Sequence, residues 1–477
     1  MSIESPLKPS IEIVDEAERL LALQRAAVAF HDAPSWRQRS DALAALQASV
    51  MKYRRRLTEA ISADFGNRAT SETDLGEIMP VVNAIKHARS NLRGWMKPER
   101  RSVGAAFRPA SAQVVYQPLG VVGVLAPWNY PLTLTLVPLV EALAAGNRVI
   151  IKPSELTPRT AKLLKALLAE IYPEDRVAVV LGGADVAARF SKLAFDHLFF
   201  TGSTRVGRQV MAAASANLTP VTLELGGKSP VVLGRNFDLK KAARVIAIGK
   251  LFNAGQSCVA PDYVMVPHDL VDAFSTAVMD AAANLYPKIA GNPDYTSVIS
   301  DSHYKRLTEM VEEARASGAR VLQHTDAAGA GERRMPPTVL LDVRPDSLAM
   351  REEIFGPVLP VIGYQDVAQA LQFINSRPKP LALYCFSRDG KEIAQILGRT
   401  RSGGVTVNGT LLHATQDDLP FGGVGESGTG GYHGYAGFVR LSHARGVMHV
   451  SRFNMSDKFA APYGKLTSLA TRVFLGK

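Results

Sequence analysis

At 477 residues the chain is longer than one hydrophobic core usually organises, so two large units with a cleft between them are expected. Hydrophobic residues make up 47% and charged residues 21%, a balance that excludes the disordered and fibrous classes. The formal charge of +11 comes from dispersed side chains, and its densest run (Lys52, Arg54, Arg55, Arg56) sits in a helical pattern without stacking aromatics, which argues for a solvated face and against nucleic-acid binding.

From Val14 to Trp95 apolar residues recur at helical spacing (Leu20, Leu21, Leu23; Leu43, Leu46, Val50; Ile78, Val81, Val82, Ile85), which predicts several long amphipathic helices. After Pro98 short apolar or alternating runs at 112–116, 121–125 and 148–151 predict strands. Between the last two, residues 132–145 predict a helix that Gly146 ends. A helix at 159–172, a strand at 177–181 and a strand at 197–201 continue the alternation. The fold class is therefore α/β, with a parallel, doubly wound sheet that binds its ligand at the C-terminal strand ends.

From Pro230 a second α/β unit follows, with helices in 245–255, 271–286 and 304–321 and a strand at 358–364. Residues 324–337, rich in Gly and Ala, read as a surface loop because strand-like sequence resumes at 338. The segment 467–477 is apolar on part of its surface but too short to span a bilayer. The start of the chain lacks a basic stretch followed by an apolar one, and no run approaches the roughly 18 apolar residues a membrane span needs. The two cysteines, Cys258 and Cys385, lie in unrelated segments without metal-type spacing, so no metal and no disulfide framework are expected. A cytoplasmic location is expected, with neither a nucleic-acid partner nor membrane insertion.

Cys258 stands in NAGQSCVAPDY, after small residues and before a strand, where it can face a cleft. A lone cysteine is more often an inert small hydrophobe, and Cys385, in the buried-strand pattern LALYCFS, fits that role. Cys258 gains from its company. Glu224, in VTLELGGKSP, is a carboxylate in an apolar run, where a raised pKa and proton exchange near neutrality are expected. Asn129, in LAPWNYP, offers an amide donor on a turn between prolines, and with the backbone N–H of Cys258 it would make an oxyanion site.

FFTGSTRVG ends a strand and opens a helix, with Gly202 and Gly207 where a pyrophosphate can meet backbone N–H groups, although it is not the G-x-G-x-x-G fingerprint. Lys152 and Glu155, in IIKPSELTP, follow a strand where ribose-binding residues sit in dinucleotide folds. Glu155 would repel a 2′-phosphate and so leans toward NAD over NADP. Ser154 also suits a helix cap.

PWNYP, KPSE, FTGS, LELGGKSP, GQSC, EEIFGP and PFGGVG, which span Pro127 to Gly425, resemble in order and spacing the aldehyde dehydrogenase superfamily. NPDYTSVIS, RPKPLALYCFS, SGGVTVN and PFGGVGESGTGGYHG resemble its dimeric class 3 branch, and LLHATQDDLPFGGVG with APYG resembles bacterial members that act on coniferyl aldehyde. The resemblance implies an aldehyde dehydrogenase-like α/β fold. Its Rossmann-type NAD-binding domain would take residues 1–107 and 118–225, its catalytic domain 226–410, and a bridging or oligomerisation element 108–117 and 411–477.

It also implies an oxidoreductase that takes an aldehyde, coniferyl or a related aromatic one, to the carboxylic acid through a thiohemiacetal and thioester. NAD would be the cofactor, with NADP possible, and a homodimer the assembly. Cys258 would be the nucleophile, Asn129 the oxyanion donor and Glu224 the base. Lys152 and Glu155 would hold the adenosine ribose; Gly202, Ser203 and Gly207 the pyrophosphate; Glu353 and Phe355 the nicotinamide end; and Trp128, Ser154 and Leu225 would complete the cofactor site. Where some branches place a second acid after PFGG, this chain has Tyr432 and His433, and His433 is expected to pack.

Tyr130, Leu134, Phe252 and Leu411 are candidates for a substrate wall. Alternatives are a medium-chain aliphatic aldehyde, transfer of the acyl group to coenzyme A or phosphate, and a catalytically silent cofactor-binding or structural protein of the same fold. Glu224 argues against the second, since that release needs no water-activating base.

Overall fold

The computed structural model describes residues 10–104, 107–326, 333–452 and 459–476. The start of the chain, the centre of the expected surface loop (327–332) and six residues of the expected bridging element (453–458) lie outside the described residues.

The front end is helical, as the periodicity predicts: Ser10–Phe30, Trp36–Phe65, Thr70–Thr73 and Met79–Trp95. The helix Trp36–Phe65 opens on a capping box, Ser35 accepting from the Gln38 amide while the Gln38 side chain accepts from the Ser35 amide. Gly66, at φ 89°, stops it. Leu43, Leu46, Val50, Leu57, Ile61 and Phe65 bury one face completely. The sequence does not announce a π turn over Asp74–Ile78. It places Gly76 under two aromatic rings, Phe252 and Tyr130, whose nearest atoms lie 3.1 and 3.2 Å from where a Cβ would stand, so a wider turn and a missing side chain go together.

In chain order the strands are β1 (Glu99–Arg101), β2 (Ser111–Pro118), β3 (Val121–Leu125), β4 (Arg148–Lys152), β5 (Val177–Val179), β6 (His197–Thr201), β7 (Val221–Glu224), β8 (Pro230–Leu233), β9 (Tyr263–Pro267), β10 (Arg320–Gln323), β11 (Thr338–Leu341), β12 (Val358–Tyr364), β13 (Ala382–Phe386), β14 (Gly404–Val407), β15 (Gly428–Thr429) and β16 (Ser442–His449). A six-stranded sheet runs β15-β7-β6-β3-β4-β5, parallel except at β15, and a seven-stranded one runs β10-β11-β12-β9-β8-β13-β14, parallel except at β10. A small antiparallel sheet runs β1-β2-β16.

In the first sheet the chain moves outward from β3 to β4 and β5, then returns to build β6 and β7 on the other side. The switch point lies between β3 and β6, where their C-terminal ends leave a crevice. The register Leu125↔Phe200 and Leu125↔Lys152 aligns those ends. The helix Thr133–Ala145 after β3 is buried from Leu134 to Ala145, and Gly146 closes it in the left-handed conformation. β5 is two residues shorter than expected, because after Val180 the chain turns through Gly182 at φ 159°.

One hydrophobic cluster joins the helices Trp36–Phe65 and Met79–Trp95 to both large sheets. The expected boundaries depart from the sheets at two points: β1, from within 1–107, belongs to the small sheet, and β15, from within 411–477, pairs with β7. Backbone pairing at an open sheet edge selects its strand by proximity, which motif spacing does not encode.

Gly403, at the start of β14, makes the junction with the later chain. A Cβ there would meet the carbonyl oxygens of Gly422 and Leu381 at 2.3 and 2.6 Å. Gly403→Ala must move backbone, so urea unfolding should show a loss of at least ~2 kcal/mol; a loss within ~0.5 kcal/mol, the range of ordinary surface changes, would contradict the close contact.

Candidate active site

The crevice at the switch point opens into a cavity of about 230 Å³ between the two large sheets. Each wall follows from a strand end: β3 runs into Pro127–Asn129, β6 into Gly202 and Ser203, and β7 into Leu225 and Gly226. The second unit supplies Cys258, Glu353 and Phe355, with His303 and Arg306 from the helix Asp301–Ala316. A larger groove, about 790 Å³, lies at the opposite ends of β3 and β4. Several of its polar groups are engaged: Asn147 accepts from the Leu119 and Gly120 amides and donates to the Leu441 carbonyl, and Arg148 pairs with Asp175.

Cys258 follows three consecutive residues of left-handed backbone: Asn253, Ala254 and Gly255, at φ 54°, 50° and 73°. Such a run is strained for residues with a Cβ and must be held. Gly255 can only be glycine, since a Cβ would lie 2.4 Å from the Gly356 carbonyl oxygen. The Asn253 side chain donates to the carbonyls of Asn129 and Gln256, at 3.0 and 3.1 Å, and the Gln256 side chain donates to those of Asn253 and Ser297. The loop therefore reaches its conformation with nearly every polar group partnered.

Beneath it lies Arg68, fully buried. It donates to Glu77 at 2.8 Å and to the Asn129 carbonyl at 3.4 Å, lies 3.8 Å from Glu72, and stands over the rings of Phe65 and Tyr130. Glu72 accepts the Asn253 amide, and Glu77 accepts the amides of Leu132 and Thr133. Burial pushes both carboxylates up, and Arg68 opposes that. One cation thus ties the asparagine turn to the cysteine loop.

Cys258 is half-buried at the cavity wall. Burial, with Glu353 and Glu224 adding, pushes its thiol up to about 12, while the backbone amides of Cys258 and Val259 favour the thiolate. One N–H of the buried Asn129 amide donates to the Gln256 carbonyl at 3.2 Å, which leaves the second N–H of that group for another acceptor. Glu224 closes β7 at 2% exposure, and neither of its carboxylate oxygens has a hydrogen-bond partner. Burial and then Glu141 push its pKa well above the usual range, against the pull of Arg440.

Glu353 is pushed up to about 8, by burial and then by Asp262. Its carboxylate lies over Gly226, where a Cβ would stand 2.0 Å from the oxygen. The segment carrying it is clamped: Lys228 pairs with Asp262 and donates to the carbonyls of Ala349 and Glu352, Asp262 accepts the Ile354 amide, and Arg306 donates to the carbonyls of Glu353 and Ile354. Phe355, at φ 52°, meets Trp128 edge-on at 5.4 Å, and His303 meets the same indole at 5.1 Å.

The cavity brings together Trp128, Asn129, Gly202, Ser203, Glu224, Leu225, Cys258, Glu353 and Phe355. Lys152, Ser154, Glu155 and Gly207 are not among its walls. Lys152 ends β4, one strand away, and pairs with the partly exposed Glu155 at 2.8 Å. Ser154 accepts from the Leu156 amide at 3.2 Å. It therefore tightens the turn and does not cap a helix; the next helix starts at Pro158, and the Asp64 carboxylate accepts its Arg159 and Thr160 amides. Ser203 does cap Thr204–Ser215. Gly207 lies inside that helix, and a Cβ would meet Leu225 at 2.6 Å, so its missing side chain lets the helix approach β7.

Thr201, Gly226, His303 and Arg306 were not expected in the walls. The last two sit three residues apart in an ordinary polar helix, and nothing in the sequence marks them. Tyr130 stacks on Phe252 at 6.5 Å, while Leu134 is buried and Leu411 packs on the main core. His433 is half-buried and stacked on Phe421, as a packing residue would be.

A thiol, a free amide N–H and a buried unpartnered carboxylate around one cavity suit acyl chemistry, and the strand ends beside them suit a dinucleotide. The family model described as "Aldehyde dehydrogenase family" matches residues 10–447. A Pseudomonas aeruginosa protein described as "Probable coniferyl aldehyde dehydrogenase" is 51% identical, over 98% of both chains. The solved structure of Staphylococcus aureus AldH in a substrate-bound state superposes with a TM-score of 0.90 at 37% identity, covering 96% of this chain and 99% of that one. A Mycobacterium tuberculosis aldehyde dehydrogenase complexed with NAD+ gives 0.83 at 28% identity, covering 91% of this chain and 90% of that one.

Removing Arg68 would strand Glu77 and Glu72 without their cation. Arg68→Ala should cost ~3–5 kcal/mol of stability in a denaturant titration; a cost below ~1 kcal/mol would mean that the two carboxylates do not depend on it.

Proposed function

The chain belongs to the aldehyde dehydrogenase family, and from that premise we propose that Cys258 is the nucleophile of an NAD(P)-dependent oxidation of an aromatic aldehyde of the coniferyl type. The observation that carries the assignment is the shared cavity of Cys258, Asn129 and the unpartnered, buried Glu224.

The Cys258 thiolate attacks the aldehyde carbon, and the developing oxyanion takes hydrogen bonds from the free Asn129 N–H and the backbone N–H of Cys258. The bound nicotinamide supplies the hydride acceptor. Loss of hydride from the thiohemiacetal leaves a thioester on Sγ. Glu224 takes a proton from water as the water oxygen attacks that thioester, the C–S bond breaks, and the acid leaves with Cys258 restored as its thiolate. A buried carboxylate whose proton affinity is raised by burial favours release to water over release to coenzyme A or phosphate.

The cofactor's requirements fit the residues present. Glu353 Oε1 and Thr201 Oγ1 are buried without partners and suit ribose hydroxyls or amide donors. The turn at Gly202 and Ser203 opens a helix, whose N-terminus suits a pyrophosphate. Lys152 and Glu155 suit the adenosine ribose. The Glu155 carboxylate favours NAD, and the adjoining Lys152 leaves room for NADP.

The substrate assignment rests on the named relative and on the aromatic pair Tyr130 and Phe252 near the cysteine loop. Rates of NADH formation with coniferyl aldehyde, benzaldehyde and hexanal test it, and a clearly higher kcat/KM for hexanal would move the assignment to aliphatic aldehydes. A homodimer is supported by the outer edges of β14 and β16, which carry the exposed Val407 and Met448. A reducing, cytoplasmic setting suits the two free cysteines. Among the described residues no helix is long and apolar enough to cross a membrane.

Cys258→Ala should abolish aldehyde oxidation while NAD still binds, and Glu224→Gln should slow hydrolysis of an acyl-enzyme by ~10²-fold or more. Only the carboxylate form of Glu224 accepts the proton, and its pKa lies well above the usual range. Ester hydrolysis should therefore rise with pH along a limb displaced above ~4.3. That limb should vanish in Glu224→Gln; an unchanged limb would remove Glu224 as the base.

A further inference from the structure

Glu141 is a buried carboxylate that the reaction steps above do not use. It lies in the helix Thr133–Ala145 at 3% exposure, and neither of its oxygens has a hydrogen-bond partner. Gly437 makes room for it, since a Cβ there would overlap its Oε2. A buried carboxylate without a partner is a cost of folding. Val137 and Ala144, on the same side of the helix, belong to the main core, which needs no acid in order to pack.

The acid stands behind the wall that carries Glu224. Phe199 on β6 shares the main core with the helix Thr133–Ala145; its register partner on β7 is Thr222, and Glu224, two residues on, points to the same face. The segment Tyr432–Arg440 lies between. Tyr432 meets Phe199 edge-on at 5.0 Å, Gly437 receives the Glu141 carboxylate, and one turn later Arg440 donates to Thr222 Oγ1 at 2.9 Å. Glu141 and Glu224 thus flank one short helix, and both oppose ionisation of the buried Tyr432 phenol.

The surrounding charges leave the two carboxylates coupled. Arg440 favours the charge on Glu224, while Glu141 opposes it. The His433 and Gly434 amides favour the charge on Glu141, and Asp417 opposes it. Burial pushes the His433 imidazole down to about 4, so it is neutral near pH 7. From the front helices His87 stands beside Gly434, and Arg39 turns away to the Ala144 carbonyl. Glu141 therefore loses its proton before Glu224, which then ionises against it.

We propose that Glu141 is a positioning residue of the hydrolytic step, a second carboxylate whose charge acts on Glu224 across the Gly437 turn and helps it draw a proton from water. This rests on the reading of Glu224 as the base.

Cofactor-free hydrolysis of p-nitrophenyl acetate, followed across pH in Glu141→Gln and Glu141→Leu, tests it. Without the neighbouring charge Glu224 ionises more readily, so the rising limb should move to lower pH. At the foot of the parent's limb each variant should be several-fold faster than the parent. On the plateau each should be several-fold slower, because a weaker base is a poorer proton acceptor. The two replacements pack differently, so a displacement common to both reports the charge. A limb that stays in place, a rate lowered at every pH, or failure of both variants to fold would overturn the proposal, the carboxylate then being inert or structural. A limb that persists in Glu224→Gln would remove the base assignment and this proposal with it; a limb lost there but unmoved in the Glu141 variants would remove this proposal alone.

Discussion

The Arg68 guanidinium is the constraint on which the site depends. It is buried under the point where two chain segments from different units meet, and it is paired with two glutamates that reach in opposite directions. Glu77 collects the amides at the start of the helix after the asparagine turn, and Glu72 collects the amide that opens the cysteine loop. Such a charge cluster is a poor source of stability compared with an apolar core of the same volume. It supplies position: each of its partners has one place in which its charge and hydrogen bonds are satisfied. The left-handed run at Asn253–Gly255, which sets where Cys258 points, is the strain that this arrangement holds in place.

A second clamp, around Lys228 and Asp262, does for Glu353 and Phe355 what Arg68 does for Cys258. Its cation takes the carbonyls of Ala349 and Glu352, and its carboxylate takes the Ile354 amide. Both clamps lie behind the reactive groups, so Glu224 is left without a hydrogen-bond partner and Glu353 with one free oxygen, Oε1. Glu224 and Glu353 face the space where a ligand would stand, and their unfilled acceptor capacity is a cost of folding that a bound donor or an attacking water can offset.

Much of this was legible in the sequence because it is local. β3, β6 and β12 begin and end where short apolar runs do, and Gly146 ends its helix for the reason read from the sequence. Cys258, Glu224 and Asn129 sit in short motifs whose neighbours set their surroundings. What could not be read arises from contacts between distant segments. His303 and Arg306 enter the cavity wall only because the helix Asp301–Ala316 packs beside the Glu353 segment. Gly207 looks like a phosphate-turn glycine in sequence, yet its place is decided by Leu225, which arrives from another strand. β15 joins the first sheet because β7 has an open edge, and the two-residue strand has no pattern of its own. Arg68 and its glutamates read as three charges in a polar helix region, and only the packing of a second unit over them makes them a buried network.

The electrostatics of the cavity constrain the order of events. Burial raises the Cys258 thiol and the Glu224 and Glu353 carboxyls together, and the two carboxylates each oppose ionisation of the thiol. In such a coupled set, ionising one member makes the next harder to ionise. Arg440 and Arg306 relieve this only in part. A thiolate at Cys258 and a carboxylate at Glu224 therefore disfavour one another in the ligand-free protein. A proton that Glu224 receives when the thiol ionises has to leave before Glu224 can take another from water. The two halves of the reaction are then separated by a proton departure as well as by the change from thiohemiacetal to thioester, and the dry, carboxylate-lined wall that readies the base also sets that step.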